Sequence, residues 1–257
     1  MMRAGIAGIA ICVAPCVLGA EAGSWSAGIG AQYTTGDYGT SRTTQILAIP
    51  FSVRYERDPW TYKLALPYYF VSGGASVIPG LGAVDAANRR GKGRAEATTS
   101  GLGDATASAT YAAYYDPASR LGVDLTGRVK LPTAEEDKGL GTGSYDAGMQ
   151  VDAYKTQERL TFFGGIGYTV FGSSFLALQN AVNYTLGGSI RLDARDSAGF
   201  SYDERRRAAQ GFPDQRELTA FFTRAIDKRW KGQAYFLKGL ANGSPDWGIG
   251  ASVAYGF

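Results

Sequence analysis

The chain contains no histidine, and its two cysteines, Cys12 and Cys16, both lie within the first 16 residues. Without histidine, Ser-His and Cys-His nucleophilic pairs are excluded, as are the common zinc ligand sets. The apolar run "AGIAGIAICVAPCVLG" (4–19) is too short for a spanning helix and is broken by Pro15. No other stretch is apolar enough to form one. The charge is nearly balanced, at +3, which is too little to point to a nucleic-acid partner.

The short apolar run has a different meaning. Arg3 precedes it, and Ala20 and Ala22 come after it in a small-x-small arrangement. A basic start, a short apolar core and such a site predict a signal peptide, cleaved near Ala22. Residues 1–22 would then be removed, leaving 23–257 as a single domain. Both cysteines would leave with the peptide, so no disulfide would brace the exported chain.

The chain is rich in glycine (36) and in tyrosine plus phenylalanine (16 and 12). It ends "SPDWGIGASVAYGF", with Trp247, Ile249, Ala251, Val253, Tyr255 and Phe257 at every second position and small or polar residues between them. That period belongs to a strand with one apolar face. It recurs along the chain, at 25–35, 47–56, 60–70, 104–115, 120–132, 144–154, 159–172, 180–195, 216–226 and 230–240, and poorly near 199–208. With the closing segment this gives 12 candidate strands.

Tight connections at "ERDP" (56–59), "DPAS" (116–119), "TQER" (156–159) and "IDKR" (226–229), with "RDSAG" (195–199) slightly longer, alternate with longer ones. Trp60, Tyr55, Tyr115, Trp230, Tyr255 and Phe257 fall near the short-turn end. Phe70, Tyr145, Phe171, Phe175 and Trp247 fall near the long-loop end. Even strand number, alternating loop length and two aromatic girdles predict an all-β, antiparallel transmembrane β-barrel with short periplasmic turns and longer extracellular loops. A β-sandwich using aromatics as core bulk is the competing architecture. In the barrel, the last strand must pair with the first, because hydrocarbon tolerates no open edge. Its final Phe257 would serve as the signal read by the barrel-assembly machinery.

Several blocks resemble an outer-membrane family named for a role in the MetA pathway of phenol degradation and described as transporters. They are "GLGDATASATY" (101–111), "GRVKLPTAEEDKGLGTGSYDAGMQVDAYKT" (127–156), "FFGGIGYTVFG" (162–172) and "YFLKGLANGSPDWGIGASVAYGF" (235–257). The resemblance covers roughly 100–257. It implies a barrel and passage of small molecules, and brings no catalytic motif and no cofactor.

Strand parity places seven basic residues inward (Arg54, Lys63, Arg128, Lys130, Arg191, Arg205, Lys231). It places seven acidic ones there too (Asp104, Asp124, Asp146, Asp152, Asp193, Asp203, Glu217). This balance argues against an anion-selective pore. The candidate lumen residues are Arg54, Lys63, Asp124, Arg128, Lys130, Asp146, Asp152 and Arg191, which either line a constriction or pair across the lumen. Tyr69, Tyr114, Tyr154 and Tyr235 also face inward by parity, either as aromatic surface for a solute or as packing. The glycines of "KGLGTGS" (138–144) precede no helix and make no phosphate loop.

The connection 74–100 is the candidate plug. Its "NRRGKGR" run (88–94) suits lipopolysaccharide phosphates outside the cell, or simply solvent. Three functions are open: a channel for small, aromatic or hydrophobic solutes; a structural or loop-binding barrel with a blocked lumen; and a membrane lipid hydrolase. The missing histidine disfavours the last. The expected setting is the bacterial outer membrane with its lipid and lipopolysaccharide.

Overall fold

The computed structural model describes residues 23–73, 77–83, 98–173, 176–208 and 211–257. The expected signal peptide, the "NRRGKGR" run and Phe175 lie outside them.

The strands are β1 (Ser24–Gly36), β2 (Thr44–Arg57), β3 (Trp60–Ser72), β4 (Val77–Ile78), β5 (Gly82–Ala83), β6 (Thr99–Leu102), β7 (Ala105–Asp116), β8 (Leu121–Leu131), β9 (Asp146–Gln157), β10 (Leu160–Val170), β11 (Ala181–Arg191), β12 (Asp196–Arg205), β13 (Gln215–Ala225), β14 (Trp230–Gly239) and β15 (Trp247–Gly256). β6 and β7 pair with successive stretches of β3 and form one stave broken at Gly103-Asp104. Among the described residues β4 and β5 pair only with each other. The remaining strands form a closed antiparallel barrel of 12 staves.

Closure is made by the two ends of the chain. β1 pairs with β15 from Ser26↔Gly256 to Thr35↔Trp247, and the Phe257 amide donates to the Trp25 carbonyl at 2.9 Å. The final strand thus has hydrogen-bonded neighbours on both sides.

Alternation divides every stave between two environments. Ile29, Phe51, Leu64, Tyr111, Leu125, Val151, Ile166, Leu186, Phe200, Leu218, Phe236 and Ile249 come one from each of the 12 staves, and all are exposed. An apolar belt around the whole circumference has no counterpart on a soluble monomer and fits hydrocarbon. This is a transmembrane barrel, not a sandwich.

An aromatic cluster bounds the belt at the short-turn end. Trp25 and Tyr55 lie 4.7 Å apart, Trp60 and Tyr111 4.9 Å, and Trp230 and Tyr255 5.0 Å. At the other end Tyr33 meets Trp247 at 5.6 Å and Tyr68 meets Phe70 at 5.2 Å.

Three details depart from the alternation read in the sequence. The β7–β8 register shifts between Ala112 and Tyr114, so Tyr114 pairs with Val123 and is exposed on the outer face. One extra residue inverts the parity of the remainder of the strand. β12 begins at Asp196, and the turn occupies 192–195. Asp193 is therefore a turn residue, where its Oδ1 accepts the amides of Arg195 and Asp196 at 2.7 Å each. Phe171 packs inward against Ile78, Leu81 and Ala208, outside any girdle.

Inside, the aromatic rings lie over glycines of the adjacent strand. Tyr154 covers Gly122, Phe163 covers Gly187, Phe221 covers Gly199 and Tyr235 covers Gly250. A side chain at each glycine would occupy the ring's place. Tyr154 and Tyr235 are thus interior packing.

Candidate functional site

The broken stave organises one wall of the lumen. At the break, the Gly103 amide reaches the Pro67 carbonyl at 2.8 Å, and Thr133 Oγ1 bridges the gap, accepting from the Ala105 amide (2.8 Å) and donating to the Gly103 carbonyl (3.0 Å). Asp104 turns inward there. It accepts the Ala134 amide at 3.0 Å and an ion pair from Lys130 at 3.0 Å. Lys130 also pairs with Asp146 at 3.1 Å and donates to Thr142 Oγ1 at 2.7 Å. Asp146 in turn accepts the Gly172 amide at 3.0 Å.

This one ammonium therefore joins three separate sequence blocks, Gly-Leu-Gly-Asp, Lys-Leu-Pro-Thr and Gly-Thr-Gly-Ser-Tyr-Asp. Together they clamp the 132–145 connection onto β6, β8 and β9. Leu140 of that connection packs against Val77, Ile46 and Val71.

Opposite this wall stands Arg205. It is 4 % exposed, on the inward face of β12. Its guanidinium donates to the carbonyls of Gly80 (2.9 Å) and Leu81 (2.5 Å) and to Gln215 Oε1 (2.6 Å). Gln215 itself donates to the Leu81 carbonyl at 3.3 Å, and the Phe171 ring lies 5.7 Å from the guanidinium carbon.

Gly80 and Leu81 belong to the β4–β5 hairpin. The Leu81 amide donates to the Ile78 carbonyl at 3.1 Å, and Gly80 has φ +76°. Proline then glycine at the centre is the order a type II turn requires. The hairpin comes directly after β3, and β12 lies six staves from β3 in either direction round the barrel. The segment 77–83 thus crosses the lumen, apolar at Val77, Ile78 and Leu81, with its tip held on the far wall. This hairpin is the described part of the 74–100 connection, the candidate plug, and it enters the lumen.

Two cavities flank the tip. The larger, of about 280 Å³, includes Lys63, Arg128, Arg205, Asp104, Asp203 and Glu217 among its walls, with Tyr38, Tyr69, Pro50 and Pro67. The smaller, of about 110 Å³, includes Arg128, Lys130, Asp146, Thr142 and Asn183. Ile78, Pro79 and Gly80 border both. In the larger, three cationic side chains face three anionic ones.

The candidate residues divide by position. Lys63 and Arg128 reach the larger cavity, and Arg128, Lys130 and Asp146 the smaller. Asp124 is fully buried on β8, in register with Asp152, whose Oδ1 accepts from Gln150 at 2.7 Å. Arg54 pairs with Glu56 near the short-turn end of β2. Arg191 ends β11, exposed at the same mouth. These last two stand apart from the cavities. Arg205, Asp203 and Glu217 were visible as inward charges, but only the hairpin's arrival gives Arg205 its place. Among the described residues no group of three His, Cys, Asp or Glu side chains is placed to hold a metal ion.

A closed barrel with an apolar outside and a charged, cavity-bearing lumen has the architecture of an outer-membrane β-barrel. The fold resembles the crystal structure of an outer membrane channel from Pseudomonas putida F1, with a TM-score of 0.68, 17 % identity, 93 % of this chain and 97 % of that one covered. It also resembles the NanC porin, with a TM-score of 0.57 and 8 % identity over 89 % and 98 % of the two chains. No family model matches the sequence, and no curated protein does.

Proposed function

We propose that this chain is a narrow outer-membrane channel for small solutes. In this reading residues 1–22 are a signal peptide, removed on export, and 23–257 form one barrel in the bacterial outer membrane. The observation that carries it is the 280 Å³ cavity, bordered by apolar residues and by six charged side chains, inside a closed barrel with an apolar belt. Ligand pockets for drug-sized molecules start at about 300 Å³, so this lumen suits solutes of about one ring. The likeness of fold to an outer membrane channel supports the same reading.

Lys63, Arg128, Lys130 and Asp146 would line the path, with Asp124 and Asp152 further along the same wall, Asp124 buried in it, and Arg54 and Arg191 at its periplasmic mouth. Tyr38, Tyr69 and the two prolines beside Lys63 and Arg128 favour a small aromatic or hydrophobic solute over a sugar, in keeping with the resemblance to the phenol-pathway family. Lipopolysaccharide would surround the loop end, and the strand ending in Phe257 would engage the assembly machinery. The reading assigns no enzymatic step.

A specific observation also favours a barrel with a blocked lumen, namely the hairpin crossing between β3 and β12. Flux into proteoliposomes separates the two. The channel predicts entry of benzoate ahead of a monosaccharide, and exclusion of a trisaccharide. Equal impermeability to all three, with folded protein present, supports the blocked barrel.

A further inference from the structure

We infer that the 77–83 hairpin is the constriction of this channel, seated across the lumen by the Arg205 guanidinium, and that it sets the size of solute admitted. The inference rests on the channel reading above. Three observations carry it.

The hairpin is not part of the wall, since among the described residues β4 and β5 pair as strands only with each other. Its removal costs the barrel no inter-strand ladder. Its tip, Ile78-Pro79-Gly80, borders both lumenal cavities, so a solute passing between them travels along it. And its seat is chemically specific. A buried guanidinium needs acceptors, and Arg205 takes two of them from the hairpin's own backbone. Gripping carbonyls fixes the position of the tip, Ile78-Pro79-Gly80, where it borders both cavities.

A seat of this kind is also adjustable. Arg205 shares its grip with Gln215, which bonds both to the arginine and to the Leu81 carbonyl. Weakening either contact lets the tip leave the wall without disturbing a stave.

The test compares three folded proteins: the wild type, Arg205→Gln, and a form in which residues 77–83 are replaced by two glycines. Folding is verified by heat-dependent gel mobility. Each is measured for single-channel conductance and for the largest sugar admitted to proteoliposomes. The expected result is a conductance larger by a factor of about two or more in the hairpin-deleted form, with a larger size limit, because bore sets both. Arg205→Gln should fall between. A silent wild type beside a conducting deletion supports the constriction and overturns the open-channel reading. A conducting wild type with the same conductance and size limit in both variants overturns the constriction and leaves the channel reading standing. Silence from all three overturns both.

A second readout concerns the seat itself. Ile78→Cys should react slowly with a membrane-impermeant maleimide, because Ile78 is buried, and faster when Arg205→Gln is added. Equal rates, measured by peptide mass spectrometry at that position, would overturn the role given to Arg205.

Discussion

Lys130 Nζ lies 3.0 Å from Asp104 Oδ2, an ion pair between residues 26 positions apart that joins the broken stave to its neighbour. Both side chains are largely buried, and a second carboxylate, Asp146, completes the group. Replacing Lys130 by Met leaves two buried carboxylates with their shared cation gone. The expected cost is about 3 kcal/mol in urea unfolding of the folded protein in detergent. Adding Asp104→Asn should recover part of that loss, and a double-mutant cycle measures the coupling.

The lumenal rings test the packing account. Tyr154 occupies the space a side chain at Gly122 would need. Gly122→Val should destabilise the barrel by about 1–3 kcal/mol, as overpacking does. Adding Tyr154→Ala should relieve it. If Gly122→Val alone is neutral, Tyr154 is free to leave and is not structural packing.

Two short turns share one device. Asp193 accepts the amides of Arg195 and Asp196, and Asp227 those of Arg229 and Trp230, all at 2.7 Å. These backbone hydrogen bonds hold both carboxyls below the ordinary aspartate value of 3.8. A lowered folded-state pKa contributes stability that is complete above that value and is lost as pH falls through the folded one. Asp193→Asn with Asp227→Asn should therefore lower stability at neutral pH and flatten its loss below about pH 4. Urea midpoints from pH 7 to 2 give the comparison.

Charge in the larger cavity is balanced, so the wild-type channel should discriminate weakly between potassium and chloride. Arg128 borders both cavities. Arg128→Glu should make the channel cation-selective, read as a change in reversal potential across a salt gradient. An unchanged reversal potential would place the ion path away from Arg128.

Most of the wall was legible in the sequence because the side-chain period of a strand is two and lipid enforces it on every stave. Leu121, Val123 and Leu125 against Asp124 and Thr126 needed no further information. The lumen was less legible for three reasons. Parity fails at a bulge, as at Tyr114, whose outward position depends on one extra residue. It fails where a strand start is displaced, as at Asp193.

And parity is silent on what folds in from a loop. Arg205 stands beside Arg206 and Arg207 in one run of arginines, yet Arg205 is buried while Arg206 is exposed and pairs with Asp214 at 3.0 Å. Only the arrival of Gly80 and Leu81 distinguishes Arg205. One signal was present. Val77-Ile78-Pro79-Gly80-Leu81 is too apolar for a solvated loop and carries a turn at its centre. The family blocks were likewise visible, but their convergence on Lys130 depends on the three-dimensional pairing of β7, β8 and β9.

The central claim is that a solute path runs through this barrel. Single-channel recording of refolded residues 23–257 in a planar lipid bilayer tests it most directly. The account predicts discrete, ohmic steps of small size, blocked by an aromatic acid added to one side. Protein that folds and inserts yet passes no current under any applied potential would contradict it.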